Sequence, residues 1–289
     1  MKKLLEYGLA LLLAVTTATT GCKEKKKLKQ TEPSPKIEAT TARGYDFNQV
    51  EKLEMKNRLK EISGIHYLNG NLFVAIEDED GIIFTVDFAT GKIVDQKVFA
   101  GRGDFEDITM DAKFFYVLES NGKIYRVSRN DDTSKLSVNA LQNNSGSEFE
   151  SVYLDPAGKN LVFICKNCPG EKKHGINAYA FNLQDARFND LPAYTINMDV
   201  LSKEERSSGL KPSAAAIHPI EKKLYVLCSL GKMLLVCDLQ GKVEKGYHLN
   251  PEIFQQPEGI AFTPNGDLFI SNESNHSKAN ILKFPYRSL

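Results

Sequence analysis

The sequence predicts an all-β fold: a β-propeller of five four-stranded blades closed by an N-terminal strand, with six blades as the alternative. Three observations point there. Five segments open alike, namely Ser63-Gly64-Ile65, Glu106-Asp107-Ile108, Glu150-Ser151-Val152, Ser213-Ala214-Ala215 and Glu258-Gly259-Ile260. Their spacings of 43, 44, 63 and 45 residues form a near-constant period, the mark of a repeat array. The last repeat offers only three strand-like runs, so its outer strand is expected from Val50 to Met55, ahead of the first repeat. That pairing would close the ring and leave no sheet edge exposed.

Within each repeat the elements follow in order. The opening segment is the first strand. A second run comes eight to eleven residues later: Leu72 to Asp78, Phe114 to Ser120, Leu161 to Asn167, Leu224 to Ser229 and Leu268 to Ser274. These runs are rich in β-branched and aromatic residues and too short for helices, so they read as buried strands. The third strands are GIIFTVD from Gly81, GKIYRVS from Gly122, INAYAFN from Ile176, KMLLVCD from Lys232 and ANILKFP from Ala279. Gly, Asn, Asp and Ser between the second and third runs supply tight antiparallel turns. More polar fourth strands are expected at Lys92 to Phe99, Leu136 to Leu141, Ala193 to Met198 and Val243 to Leu249. The longer interval before Ser213 contains Leu201 to Ser208, which reads as an inserted helix rather than a sixth blade.

Ahead of the domain, residues 1–21 carry Lys2 and Lys3, an apolar core from Leu9 to Val15 and small residues at the end, the pattern of a secretory signal. Thr19-Thr20-Gly21-Cys22 resembles the bacterial lipobox, which implies lipid attachment at Cys22, although Thr19 stands where such boxes usually carry an aliphatic residue. Ordinary cleavage that leaves a free thiol is the alternative. Residues 22–45 are expected to form a lysine-rich tether, since 23 to 36 hold six Lys against two Glu and no apolar pattern. Its positive charge would favour anionic headgroups. The propeller domain is then 46–289, and with the whole chain at zero net charge it carries about −5. A nucleic-acid surface is not indicated. The expected protein is a monomer in the cell envelope, tied to a bacterial membrane, with the outer membrane favoured.

Of the cysteines, Cys165 and Cys168 form CKNC at a strand end, where a disulfide, two free thiols and a catalytic pair are all open readings. Cys228 and Cys237 read as buried free thiols. The five histidines are scattered over different repeats without HExxH or HxH spacing, and no GxSxG, GxGxxG or P-loop is present.

First strands of propeller blades line the central channel, so aligned positions converge. One ring comprises Ser63, Glu106, Glu150, Ser213 and Glu258, and a second, two residues earlier, comprises Glu61, Asp104, Glu148, Lys211 and Gln256. Carboxylates facing one another must protonate, pair with a cationic group such as Lys211, or bind a cation. Oxygen-only ligands suit Ca²⁺ or Mg²⁺, with Ca²⁺ preferred for its flexible coordination. Glu106, Glu150 and Glu258 are the expected ligands, followed by Asp107, Ser63 and Glu61. Solvated or strand-capping acids are the bland alternative. Glu148, Lys211, Glu77, Glu119 and Glu273 are candidates for binding a small ligand. Lys211 is further expected to pair with Glu148 or Glu258.

The order EISGI, DFEDI, EFESV, KPSAAAIHP and QPEGIAFTPNGDLFISNES resembles the SdiA-regulated family of bacterial propellers over about residues 50 to 289. The resemblance implies an exported propeller with a divalent cation at its channel and supplies no settled activity. Related propellers include phytase-like esterases, gluconolactonase-type enzymes and NHL-repeat binding modules. The leading expectation is therefore a lipid-anchored propeller that binds Ca²⁺ and a small molecule or envelope partner. A metal-dependent hydrolase of phosphate esters or lactones is the alternative.

Overall fold

The computed structural model describes residues 40–130, 137–140, 146–171, 173–207 and 209–288. The leader, Cys22 and most of the tether lie outside these residues. Two strands, β1 (Thr41–Ala42) and β2 (Tyr45–Asp46), make a small hairpin ahead of β3 (Glu51–Glu54). Blade 1 then runs through β4 (Ile62–Asn69), β5 (Leu72–Glu77), β6 (Asp80–Asp87) and β7 (Lys92–Arg102). Blade 2 comprises β8 (Phe105–Met110), β9 (Phe114–Glu119), β10 (Lys123–Ser128) and β11 (Ser137–Ala140).

Blade 3 is β12 (Glu148–Leu154), β13 (Asn160–Asn167) and β14 (Gly175–Asn182), whose outer edge is paired by β15 (Arg187–Phe188) and β16 (Tyr194–Asn197). Blade 4 is β17 (Ala214–Ile217), β18 (Leu224–Cys228), β19 (Met233–Cys237) and β20 (Val243–His248). Blade 5 is β21 (Pro257–Phe262), β22 (Leu268–Asn272) and β23 (Asn280–Phe284). Its fourth strand is β3, antiparallel to β23 with Asn280 opposite Glu54 and Leu282 opposite Lys52. The ring is closed by the segment expected to close it, and it has five blades. The long interval between blades 3 and 4 holds β15, β16 and a short helix α1 (Lys203–Ser207).

Successive inner strands β4, β8, β12, β17 and β21 stand side by side around the channel, with β21 next to β4. Period-two alternation gives each blade two apolar faces, and these meet in five clusters, one per blade interface. Phe73, Phe84 and Phe269 fill the contact between blades 1 and 5, while Phe149 and Phe163 join Tyr116 between blades 2 and 3. Inner strands approach so closely that side chains there must be small. A Cβ on Gly64 would lie 2.8 Å from the Asp107 Cα of blade 2, and one on Gly259 would lie 2.4 Å from Ser271 Oγ and 3.1 Å from Ile65 N of blade 1.

The packed domain starts earlier than the expected boundary at residue 46. Ala42, Tyr45 and Phe47 are buried in the core shared by blades 4 and 5. Tyr45 donates to the Gly266 carbonyl at 2.6 Å and meets His218 Nε2 at 2.7 Å, and Arg43 pairs with Glu221. These aromatic contacts order the last part of the stretch that its lysine-rich neighbour suggested was tether. Cys165 and Cys168 are disulfide-bonded, and Cys228 and Cys237 are buried free thiols.

Candidate functional site at the channel mouth

The repeated motif has a geometric meaning. In four of the five inner strands the ladder skips one residue: Ser63 between Ile62 and Gly64, Glu106 between Phe105 and Asp107, Glu150 between Phe149 and Ser151, and Glu258 between Pro257 and Gly259. Each skipped residue is a β-bulge, a device that re-aims a side chain out of the pleat. All four bulged residues, with Ser213 of blade 4, line one cavity of about 510 Å³. Glu61, Asp104, Lys211 and Gln256 of the second aligned set line it too, whereas Glu148 is exposed at the start of β12 and does not.

The two serines of the ring serve the scaffold. Ser63 Oγ donates to the Phe105 carbonyl at 2.7 Å and Ser213 Oγ to the Pro257 carbonyl at 2.8 Å, so each ties its blade to the next. The glutamates surround a lysine. Lys166, at the end of β13 and between the two disulfide-bonded cysteines, places Nζ 2.5 Å from Glu150 Oε1. Burial works against its charge, but Glu150 first and then Glu106 and Glu258 outweigh it and raise its pKa. Burial pushes Glu106 up to about 9, helped by the neighbouring Glu150, and it pushes Glu258 up to about 7. Glu258 also accepts from Ser229 Oγ at 3.0 Å, across the interface between blades 4 and 5. The ring is thus balanced in part by a built-in ammonium, and burial favours the protonated form of Glu106.

Asp107 turns away from this mouth. Its carboxylate accepts from Ile108 N at 2.8 Å, Ser151 Oγ at 2.8 Å and Val152 N at 2.9 Å, stitching blade 2 to blade 3. It lines a second cavity of about 370 Å³, at the opposite ends of the inner strands, with apolar residues such as Ile108, Ala215 and Phe262. Burial raises its pKa to about 8 against those three hydrogen bonds.

Of the candidates on the second strands, Glu273 lines the first cavity and accepts from Gln256. Glu119 is held within its own blade by Tyr125 at 2.6 Å, Asn121 and Lys123. Lys211 does not pair with Glu148 or Glu258; its Nζ donates to the Lys166 carbonyl at 2.8 Å.

Carboxylates close enough to share one ion occur elsewhere on the same rim. Among the described residues, Glu61, Glu77 and Asp78 each offer an oxygen within 4.8 Å of the others, and Glu106, Glu150 and Glu258 do not form such a group. Glu77 Oε1 accepts from Asp80 N at 2.7 Å and Glu61 Oε1 from Lys60 at 2.8 Å. Glu61 Oε2 and Asp78 Oδ1 are buried without a partner. Orphaned buried oxygens and an all-oxygen donor set fit a hard divalent cation.

The sequence-level alignment missed Asp78 and Lys232. Both sit in the turn between second and third strands, and aligning those turns across repeats, as the starts were aligned, would have brought them out.

A sequence profile of the SdiA-regulated family matches residues 38–276. The chain belongs to the SdiA-regulated family. No curated protein sequence matches it. Solved structures similar to this SdiA-regulated propeller are distant in sequence. A glutaminyl cyclase from Myxococcus xanthus matches at TM-score 0.56 and 11% identity, over 81% of this chain and 94% of that one. A calcium-binding protein, regucalcin, from Agrobacterium tumefaciens matches at TM-score 0.52 and 10% identity, over 81% and 93%. A streptogramin B lyase matches at TM-score 0.50 and 10% identity, over 82% and 98%. These likenesses show the propeller fold.

Proposed function

We propose that this SdiA-regulated propeller is an exported binding protein, lipid-anchored through Cys22 to a bacterial envelope membrane, whose channel mouth takes up a divalent cation, Ca²⁺ before others, and binds a small ligand or partner. One observation carries the reading: Glu61, Glu77 and Asp78 converge within 4.8 Å, and two of their oxygens are buried without partners on the wall of a cavity of about 510 Å³. A buried carboxylate oxygen without a partner is unfavourable unless a cation or proton satisfies it, and the Lys60 ammonium reaches only the other oxygen of Glu61. A calcium-binding protein among the structures of similar fold accords with this choice of ion.

The test is thermal unfolding with Ca²⁺ or chelator, backed by elemental analysis. A cation that binds only the folded state at a hundred times its Kd stabilises by about 2.7 kcal/mol. Asp78→Asn should lose most of that shift. No shift at millimolar Ca²⁺, together with no bound metal, removes the reading.

A second reading, hydrolysis of phosphate esters or lactones, is favoured by one observation. Three lysines, Lys166, Lys211 and Lys232, line the same cavity as Glu106, whose pKa burial raises to about 9 and so favours the protonated carboxyl. Ammonium groups hold anionic oxygens and a protonated carboxyl supplies a proton. Turnover of phosphomonoester, phosphodiester or lactone substrates that is metal-dependent and lost in Glu150→Gln would place this reading first.

A further inference from the structure

Two cationic groups at the mouth have no part in a metal site. Lys211 Nζ donates to the Lys166 carbonyl at 2.8 Å, and Lys232 Nζ donates to the Ser229 carbonyl at 2.9 Å. Among the described residues neither forms an ion pair, although seven carboxylates line the same cavity. An ammonium has three donors, so each lysine keeps two for a ligand. Burial holds Lys232 below the usual lysine range, and the nearby Glu258 carboxylate offsets that only in part.

Their placement is one-sided. Lys211 leads into β17 and Lys232 lies in the turn between β18 and β19, both in blade 4, and Lys211 touches the Lys166 backbone of blade 3. Glu61 and Asp78, with their orphaned oxygens, belong to blade 1. In a ring of five, blades 1 and 4 are not neighbours and are as far apart as the ring allows. The cavity therefore has its partnerless carboxylate oxygens at blade 1 and its two lysines without an ion pair at blade 4. A simple cation would leave Lys211 and Lys232 without an ion pair, and a simple anion would leave Glu61 Oε2 and Asp78 Oδ1 without a partner.

We propose that the channel mouth selects a small zwitterion, an amino acid or dipeptide, with its carboxylate on Lys211 and Lys232 and its ammonium on Glu61 and Asp78. The inference rests on the reading that the blade 1 carboxylates take cations, with the ligand's ammonium in the place of a metal ion, so Ca²⁺ competes with the zwitterion. A cavity of about 510 Å³ lies within the range of small-molecule sites and is roomy enough for a dipeptide.

The experiment is titration calorimetry on the full chain in Ca²⁺-free buffer with three probes: alanyl-alanine, its N-acetyl form and its C-terminal amide. Terbium luminescence reports the blade 1 carboxylates separately. Alanyl-alanine should bind, and capping either end should weaken binding about ten-fold or more, the loss of one charge-assisted contact. In the double variant Lys211→Met/Lys232→Met the free acid and the amide should bind equally weakly, while retained terbium binding shows that the fold and the blade 1 carboxylates survive. Capped probes that bind as tightly as alanyl-alanine, or no binding of any probe at about 10 mM, would overturn the proposal. Terbium binding without dipeptide binding leaves the cation reading standing and removes this one. Dipeptide binding without terbium or Ca²⁺ binding does the reverse.

Discussion

The ammonium of Lys166 lies 2.5 Å from the Glu150 carboxylate, in the middle of a ring that the sequence expects to hold a metal ion. Lys166 is thus a tethered counter-cation, presented by a loop that the Cys165–Cys168 disulfide closes. Its Glu150 partner is buried, while Lys166 itself is partly exposed.

Lys166→Met should leave Glu150 buried without its partner and cost about 1–3 kcal/mol at pH 8. Toward lower pH the cost should shrink, because burial already raises the pKa of Glu150 and removing Lys166 favours its protonation further. The double variant with Glu150→Gln should recover most of the loss. Urea denaturation of the four proteins at pH 8 and pH 5 checks this.

Stability should fall as pH rises from about 5 to about 9. Burial raises Glu106 to about 9 and Asp107 to about 8, so over this window the folded state holds protons that the unfolded state has released. Their contribution is fully present below the unfolded carboxyl pKa and lost as pH rises through the folded values. Glu106→Gln should flatten the slope of midpoint against pH, measured by calorimetry.

Asp107 should behave as a structural residue. Asp107→Ala strands Ser151 Oγ and the amides of Ile108 and Val152, and should cost about 2–4 kcal/mol. Binding of terbium at the opposite mouth should be unchanged in the surviving folded protein. Loss of terbium binding with an unaltered melting midpoint would show instead that Asp107 belongs to the cation site.

Gly259→Ala should destabilise by about 1–3 kcal/mol, since the added methyl meets Ser271 Oγ at 2.4 Å and the backbone of Ile65 at 3.1 Å. Gly158→Ala, where no atom lies within 4 Å of the added Cβ but φ is +65°, separates backbone strain from interblade crowding. Comparing the two melting midpoints decides which matters more.

The alignment that numbers the blades also identifies much of the cavity wall: Glu106, Glu150, Glu258, Glu61 and Lys211 all line it. It places Glu148 with them, and the expected ligand set adds Asp107; both lie elsewhere. A bulge displaces one side chain from strict alternation, and adjacent residues such as Glu106 and Asp107 then serve opposite mouths. Nothing in the local pattern announces such a skip.

Read alone, the amino-acid sequence determined the five-blade ring, the strands within each blade and the segment Val50 to Met55 that closes it, since period-two apolar runs and turn residues are local signals. The tertiary structure alone decided the charge balance of the mouth. Lys166 comes to Glu150 across a hairpin, Lys211 to the backbone of another blade, and Glu61 and Asp78 into burial without partners. Those outcomes depend on which side-chain atoms a bulge or turn directs into one enclosed volume and, for Lys211, on contact with a neighbouring blade, neither of which the local apolar pattern encodes.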